Sequence, residues 1–261
     1  MRWRRIASAS GEFQVLSALT TNRQTRNREN SFIVQGVRNI DAALAHDWKV
    51  RSAVVPMGGR RSSWADGVIA RIDDGVEMDS SLFDQLADRE ERPELLLVVE
   101  KRRVSLEDLR VDAQFVATVL DRPASPGNIG TIIRTTDALG ASAVFLIGHG
   151  ADPYDPRSVR ASTGSFFAVP VVEVESAAVL GAWGESLGVS LIATDESGYD
   201  ALEHIPLGAL ALMFGNETKG LSGALLGRAD RTVAIPMRGS ASSLNVAAAH
   251  AVVLFTAMRR G

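Results

Sequence analysis

Three short stretches of this sequence pair glycine with polar side chains that a plain turn does not require. The first, Pro126 to Ala141 (PGNIGTIIRTTDALGA), opens a helix near Asn128 and carries Arg134 about 1.7 turns further on. The second, Leu212 to Ser222 (LMFGNETKGLS), runs an apolar strand into Gly215, Asn216 and Glu217 and then reaches Gly220. The third, Ile235 to Ala251 (IPMRGSASSLNVAAAHA), leaves a strand at Pro236, crosses a small-residue loop and enters a helix near Ser243, Leu244 and Asn245. Ser242 or Ser243 can cap that helix. A glycine directly after a buried strand lets a ligand approach the backbone closely. Arg134 suits a phosphate, and Glu217 is the ordinary proton acceptor by pKa. In an open parallel sheet the ligand lies beyond the carboxyl ends of the strands, so the three loops would line one crevice.

The elements that must carry these loops follow from the hydrophobic pattern. From Phe13 to Glu100, β-rich runs at Phe32 to Gln35, Val50 to Val55, Val76 to Met78 and Leu95 to Val99 alternate with amphipathic stretches. Helices are expected at Val37 to His46, Ser63 to Arg71 and Ser80 to Ala87, the last capped by Asp79. The charged stretch Lys101 to Val111 lacks an apolar period and reads as a linker, which divides the chain into domains at 1–105 and 112–261. Beyond it, apolar strands are expected at Phe115 to Leu120, Val144 to Ile147, Val169 to Val174, Val189 to Ala193, Ala209 to Phe214 and Thr232 to Ile235. Strands that are apolar throughout and separated by helices predict an α/β fold with a parallel sheet buried on both faces. The last helix, Leu244 to Met258, is nearly uncharged, so burial is expected all round, with a second subunit as its cover.

Composition narrows the chemistry. The 261 residues are 46% hydrophobic and 23% charged, an ordinary globular balance. Cysteine is absent, which excludes thiol nucleophiles, thiolate zinc sites and iron–sulfur clusters. His46, His149, His204 and His250 have no ligand spacing, so no metal is expected. No dinucleotide fingerprint follows the first strand of the second series, and Leu221 stands where a phosphate-binding loop would place its lysine. No apolar run reaches about 20 residues, so no membrane helix is expected. The basic N-terminus lacks the apolar run of a secretory signal, and the cytoplasm is the expected location. The net charge of -3 conceals an uneven distribution, because residues 1–28 carry six arginines against the single Glu12, a local +5. Such an arm suits phosphate contact, with Arg23, Arg26, Arg28 and the nearby Arg38 as candidates.

Taken together, the three segments resemble the signature motifs of the SpoU/TrmH family of RNA 2'-O-ribose methyltransferases, within the SPOUT superfamily. The stretch Asp152 to Val171, with Arg160-Ala161-Ser162 and Gly164, is also similar to the family pattern, and Asn22 to Leu44 more loosely resembles its N-terminal substrate-binding domain. The resemblance implies a small N-terminal α/β RNA-binding domain and a C-terminal domain tied in a deep trefoil knot that holds S-adenosylmethionine. It implies a homodimer formed through the C-terminal domain and a substrate that is ribosomal or transfer RNA. Asn128, Arg134, Glu217, Ser243 and Asn245 would be catalytic. Backbone around Gly215, Asn216, Gly220, Ile235, Met237 and Leu244 would hold the cofactor. Whether Arg134 or Glu217 takes the proton stays open, since a guanidinium is normally fully protonated. Thr218, where many members have glycine, would narrow the approach beside the cofactor loop. A knotted RNA-binding protein without turnover, or a methyltransferase acting on a base nitrogen, are the alternatives.

Overall fold

The computed structural model describes residues 2–87, 92–200 and 205–259. In chain order the elements of the first part are β1 (Arg2–Ile6), α1 (Gly11–Thr21), α2 (Arg23–Arg28), β2 (Ser31–Val34), α3 (Val37–Ala45) and β3 (Val50–Pro56). They continue with α4 (Ser63–Ile69), β4 (Asp74–Met78), α5 (Ser80–Leu86) and β5 (Leu96–Glu100). After the linker come β6 (Val116–Asp121), α6 (Pro126–Ala138), β7 (Ala143–Ile147), α7 (Pro156–Ser162), β8 (Val171–Val174) and α8 (Ala177–Leu187). The chain closes with β9 (Ser190–Asp200), β10 (Leu210–Phe214), α9 (Gly223–Leu226), β11 (Arg231–Ala234) and α10 (Val246–Met258).

These elements divide into two compact units. The first comprises Met1–Arg102 together with Tyr154–Phe167, and the second comprises Arg103–Pro153 with Ala168–Gly261. The first break falls inside the charged linker, but the excursion after β7 leaves the second unit and returns to the first, which a division into two consecutive domains does not anticipate.

The first unit is a mixed sheet in the order β1-β4-β3-β5-β2, with β2 and β3 antiparallel to β5 and the other neighbours parallel. Its five-residue β1 corrects the expectation of an open basic arm. Arg4 pairs with Glu12 at 3.3 Å and Arg5 with Glu77 at 3.0 Å, so part of the local charge is spent on the fold's own carboxylates. The returning segment is held by aromatic contact. Phe32 lies 5.0 Å from Tyr154 and 5.8 Å from Phe166, ring centre to ring centre. The Trp48 indole N–H donates to the Phe167 carbonyl at 3.0 Å.

The second unit is a six-stranded, fully parallel sheet in the order β11-β9-β10-β6-β7-β8. Every residue of β6, β7 and β10 is buried, which is the physical reason these strands read as unbroken apolar runs. Trp183 fills the core as packing, edge-on to Phe145 at 5.4 Å. The order places β6 and β10 side by side at the centre, so the loops that follow them start next to each other.

Candidate functional site

The loops after β6 and β10 are fastened by two carboxylates. Asp121, buried at the end of β6, accepts two hydrogen bonds from the Arg122 guanidinium, both at 2.9 Å, and one from the Ser222 amide at 2.6 Å. Burial pushes its carboxyl up, yet the bonds from Arg122 and Ser222 outweigh this and hold it below the usual carboxylate range. Arg122 also donates to the Gly220 carbonyl at 3.1 Å. The Asn216 amide donates to the Arg122 carbonyl at 2.7 Å.

Glu217 is the second fastener. Its carboxylate accepts from the amides of Ala124 at 2.9 Å and Ser125 at 3.2 Å, and from the Asn128 side chain at 2.9 Å. Burial again raises the carboxyl, and the Asn128 side chain with the Ala124 and Ser125 amides more than reverses it, so Glu217 sits below its ordinary value. A carboxylate with three donors and a lowered pKa is a weak proton acceptor. Proton removal by Glu217, one of the two readings that residue type leaves open, is thus disfavoured by its own hydrogen bonds, and its geometry is that of a clasp between two loops.

Local sequence makes both loops tight. Ser125 caps α6 by accepting from the Asn128 amide at 3.3 Å, with Pro126 in the first turn, where a missing N–H costs nothing. In the second loop Asn216 and Gly220 exchange backbone bonds at 3.0 and 2.9 Å. A Cβ on Gly215 would collide with the backbone of Gly220 and Leu221, and Gly220 itself has φ +64°. Thr218 does not merely crowd this turn. Its N–H and hydroxyl donate to the Asn216 side-chain oxygen at 3.0 and 2.9 Å.

The third loop closes the group from the other side. Asn245 caps α10 by accepting from the Ala247 amide at 2.9 Å, and its side-chain N–H donates to Asn128 at 3.3 Å. Asn128, Glu217 and Asn245, up to 117 residues apart, thus form one connected polar cluster. Beside it lies a cleft of about 650 Å³. Gly215, Asn216, Gly220, Ile235, Met237, Ser243 and Leu244 line it, and all were expected there. Phe214 and Val233 add to its apolar wall, and Asp195, Glu196 and Lys219 give it charge. The last three escaped the sequence reading, although the position of Asp195 and Glu196 just past the apolar run Val189 to Ala193, within β9, is a signal of the same kind.

Arg134 is not among the residues lining this cleft. It is exposed on α6 and borders a shallow concavity of about 500 Å³ with Thr131, Thr135, Ala138, Leu139, Ala251 and Phe255. The terminal helix is only partly covered. Ala247, His250, Val253, Leu254 and Ala257 are buried, while Phe255 is 50% exposed.

The arginines of the first unit separate by environment. Arg28 is exposed and paired with Glu29 at 2.9 Å, Arg23 is half-buried, and Arg38 is exposed at the start of α3. Arg26 corrects the expectation of phosphate contact. It is 2% exposed and donates to the Leu19 carbonyl at 2.9 Å inside the fold. Among the histidines, His46 and His149 are exposed, His250 is buried, and His204 lies outside the described residues. Among the described residues no group of three His, Asp or Glu could hold a metal ion, and no helix is long and apolar enough to cross a membrane.

Comparison with known proteins matches residues 116–255 to the SpoU rRNA Methylase family and residues 10–97 to the SpoU L30e-like domain. The chain is 41% identical to the 23S rRNA (uridine(2479)-2'-O)-methyltransferase of Streptomyces viridochromogenes, over 98% of this chain and 92% of that protein. It is 28% identical to the 23S rRNA (guanosine(2553)-2'-O)-methyltransferase RlmP of Bacillus subtilis (strain 168), over 89% and 90%. The fold superposes on the crystal structure of the SpoU methyltransferase AviRb from Streptomyces viridochromogenes in complex with AdoMet, with a TM-score of 0.92 and 40% identity over 97% and 98% of the two chains. An AdoMet-bound rRNA methyltransferase from Sinorhizobium meliloti gives 0.88 at 30% identity over 99% and 98%.

Proposed function

The chain belongs to the SpoU rRNA methylase family, and from that membership we propose how its cleft works. It is an S-adenosylmethionine-dependent RNA methyltransferase that modifies a ribose 2'-hydroxyl of ribosomal RNA. The observation that carries the site assignment is the Glu217–Asn128–Asn245 cluster at the edge of the cleft.

The residues present fit the cofactor. The cleft volume is within the range of small-molecule sites, and its lining divides into an apolar wall and a charged part. Phe214, Val233, Ile235, Met237 and Leu244 suit the adenine, and the backbone from Gly215 to Gly220 offers polar groups to the ribose. Asp195, Glu196 and Lys219 suit the charged amino-acid end. When bound, S-adenosylmethionine supplies an electrophilic methyl group on a sulfonium. The chain must align an acceptor ribose with it and exclude competing water, and alignment alone lowers such a barrier greatly.

Glu217 serves as a positioning residue that fixes Asn128, and Asn128 with Asn245 and Ser243 faces the acceptor. Arg134 binds an RNA phosphate. A homodimer through the uncovered side of α10 and the adjoining face of α6 would bury Phe255 and set Arg134 at the seam, outside its own cleft. The first unit serves as the RNA-binding domain and the second as the methyltransferase domain. The C-terminal segment after β11, whose Asn245 donates to Asn128, closes the trefoil knot implied by the family, and the cell interior is its workplace.

The test is transfer of labelled methyl from S-adenosylmethionine to a 23S rRNA transcript, followed by alkaline hydrolysis. An alkali-resistant dinucleotide carrying the label is expected. Label on a base overturns the ribose assignment, and cofactor binding without transfer to any ribosomal RNA overturns the enzymatic one.

A further inference from the structure

We propose that a groove in the first unit, formed by α3, α4 and the returning helix α7, is a binding subsite for an unpaired nucleotide of the RNA substrate. The proposal rests on the reading of the chain as an RNA-modifying enzyme and adds to it a place and a chemistry. The groove has a volume of about 1160 Å³. Its wall is the half-buried indole of Trp64, which is held in orientation by donating its N–H to Asp41 at 2.8 Å. Val37, 52% exposed, and Pro93 extend the apolar surface. Arg38, Arg92 and Arg160 also line the groove, and all three are exposed. An aromatic face flanked by guanidinium groups is the combination that holds single-stranded nucleic acid, with stacking on the base and charge for the backbone. A duplex, whose bases are already stacked and paired, cannot offer a base to Trp64.

A second observation points to a ligand. Asn39 lines the same groove and is 5% exposed. Its side-chain N–H donates to the Gln35 carbonyl at 3.0 Å, while its Oδ1 has no hydrogen-bond partner. Buried acceptors are seldom left without a donor. A base amino group or ribose hydroxyl entering beside Gly36 is the donor that this oxygen lacks. The charge is not uniform, since Arg92 pairs with Asp84 at 2.6 Å and Glu94 accepts from Ser62 at 2.9 Å. The groove therefore favours a local, stacking-dependent contact over a broad electrostatic track. Arg160 has a further significance. It belongs to the segment that leaves the catalytic unit after β7 and returns to it before β8, so the same excursion that completes the first unit also supplies one wall of the groove.

The test uses the full chain and fluorescein-labelled oligoribonucleotides, an unstructured octamer and a blunt duplex of similar length, with binding read by anisotropy and tryptophan emission. The octamer should bind more tightly than the duplex and quench emission. Trp64→Ala should weaken octamer binding roughly tenfold or more, and Trp64→Phe, which retains an aromatic face, should restore most of it. Arg38→Ala and Arg160→Ala should each lower the slope of log affinity against log salt by roughly 0.7. S-adenosylmethionine affinity by calorimetry should stay at the wild-type value in every variant, which shows that the second unit is intact. Octamer affinity unchanged in both Trp64 variants, or tighter binding of the duplex, overturns the groove assignment. If the wild type methylates no RNA yet Trp64 still controls octamer binding, the enzymatic reading fails and the groove stands.

Discussion

Acidification to about pH 5 tests the packing beneath the cleft through one buried imidazole. His250 on α10 is fully buried, bonded through Nε2 to the Thr118 hydroxyl at 2.9 Å, and its Nδ1 has no partner. Burial lowers its pKa from 6.5 to about 4. In the unfolded chain the ring titrates near its ordinary value. Between the two values the unfolded chain takes up a proton that the folded chain refuses, so stability falls as the pH drops from about 6.5 toward about 4. For one such site the loss between about pH 7.5 and about pH 5 is about 2 kcal/mol. Carboxylates with lowered pKa, such as Asp121, lose stability in the same direction as they protonate, so the wild type alone does not isolate the histidine. His250→Gln supplies the reference, because its amide can still meet Thr118 and does not titrate. Urea unfolding at both pH values should show the wild type losing about 2 kcal/mol more than the variant. Equal losses would refute the reasoning. Phe214, which lines the cleft, packs edge-on against this ring at 5.1 Å, and because the folded ring stays neutral at about pH 5 that contact should persist while stability falls.

Four further outcomes follow from the site and from the first unit. Glu217→Gln should weaken S-adenosylmethionine binding and methylation together by about tenfold, one charge-assisted bond's worth, and leave the shape of the pH–rate profile unchanged. A profile that loses its acidic limb would instead make Glu217 the base. Arg134→Ala should abolish methylation while S-adenosylmethionine affinity, read by calorimetry, stays within a few-fold; a large loss of cofactor binding would contradict its placement outside the cleft. Arg26→Ala should destabilise the first unit by about 3 kcal/mol, because it leaves a buried cavity and removes a positive charge near the buried Asp155. Arg28→Ala should leave urea stability unchanged and lower only the salt dependence of RNA binding, and equal destabilisation by the two substitutions would mean that burial does not separate them.

What could be read from the residues differs between the two units for a physical reason. In the second unit β6, β7 and β10 are covered on both faces, so each is an apolar run whose ends fall within a residue of the expected ones, whereas β9 runs on to Asp200, seven residues past the expected Ala193. In the first unit β1 is an edge strand whose sequence, RWRRI, is mostly arginine, and its pairing with β4 depends on residues about 72 positions away. Nothing in five residues of that composition marks a strand. The return of 154–167 has the same character. Its anchor, the bond from Trp48 to Phe167, spans 119 residues, and an aromatic-rich loop looks alike whether it packs on its own unit or on another. The site residues were named as residue types at loop positions, and all but two of those assigned to catalysis or cofactor line one cleft, with Asn128 joined to it through Glu217 and Asn245. Arg134 lies on the same helix as Asn128 but borders a different concavity, which helix arithmetic alone does not resolve.

The role of Glu217 shows why residue type underdetermines chemistry. By its ordinary pKa a glutamate is a better base than an arginine, and an isolated view of the loop favours it. The folded chain spends that basicity on three donors, and the donors are what bring the first and second loops into register. A proton on Glu217 would set an O–H donor against N–H groups that need an acceptor, and would loosen Asn128. The third loop has less support: residues 236–245 are exposed, and the side-chain link to the first loop is the 3.3 Å bond from Asn245 to Asn128. The cleft is therefore built in two tiers, a hydrogen-bonded floor from the first two loops and a lightly tied wall that carries Met237, Ser243 and Leu244. On the proposed reading a cofactor in the cleft touches both tiers, Gly215 to Gly220 in the floor and Met237 and Leu244 in the wall. On that reading the wall ties cofactor affinity to catalytic geometry, and a substitution at Asn128 or Asn245 should alter both.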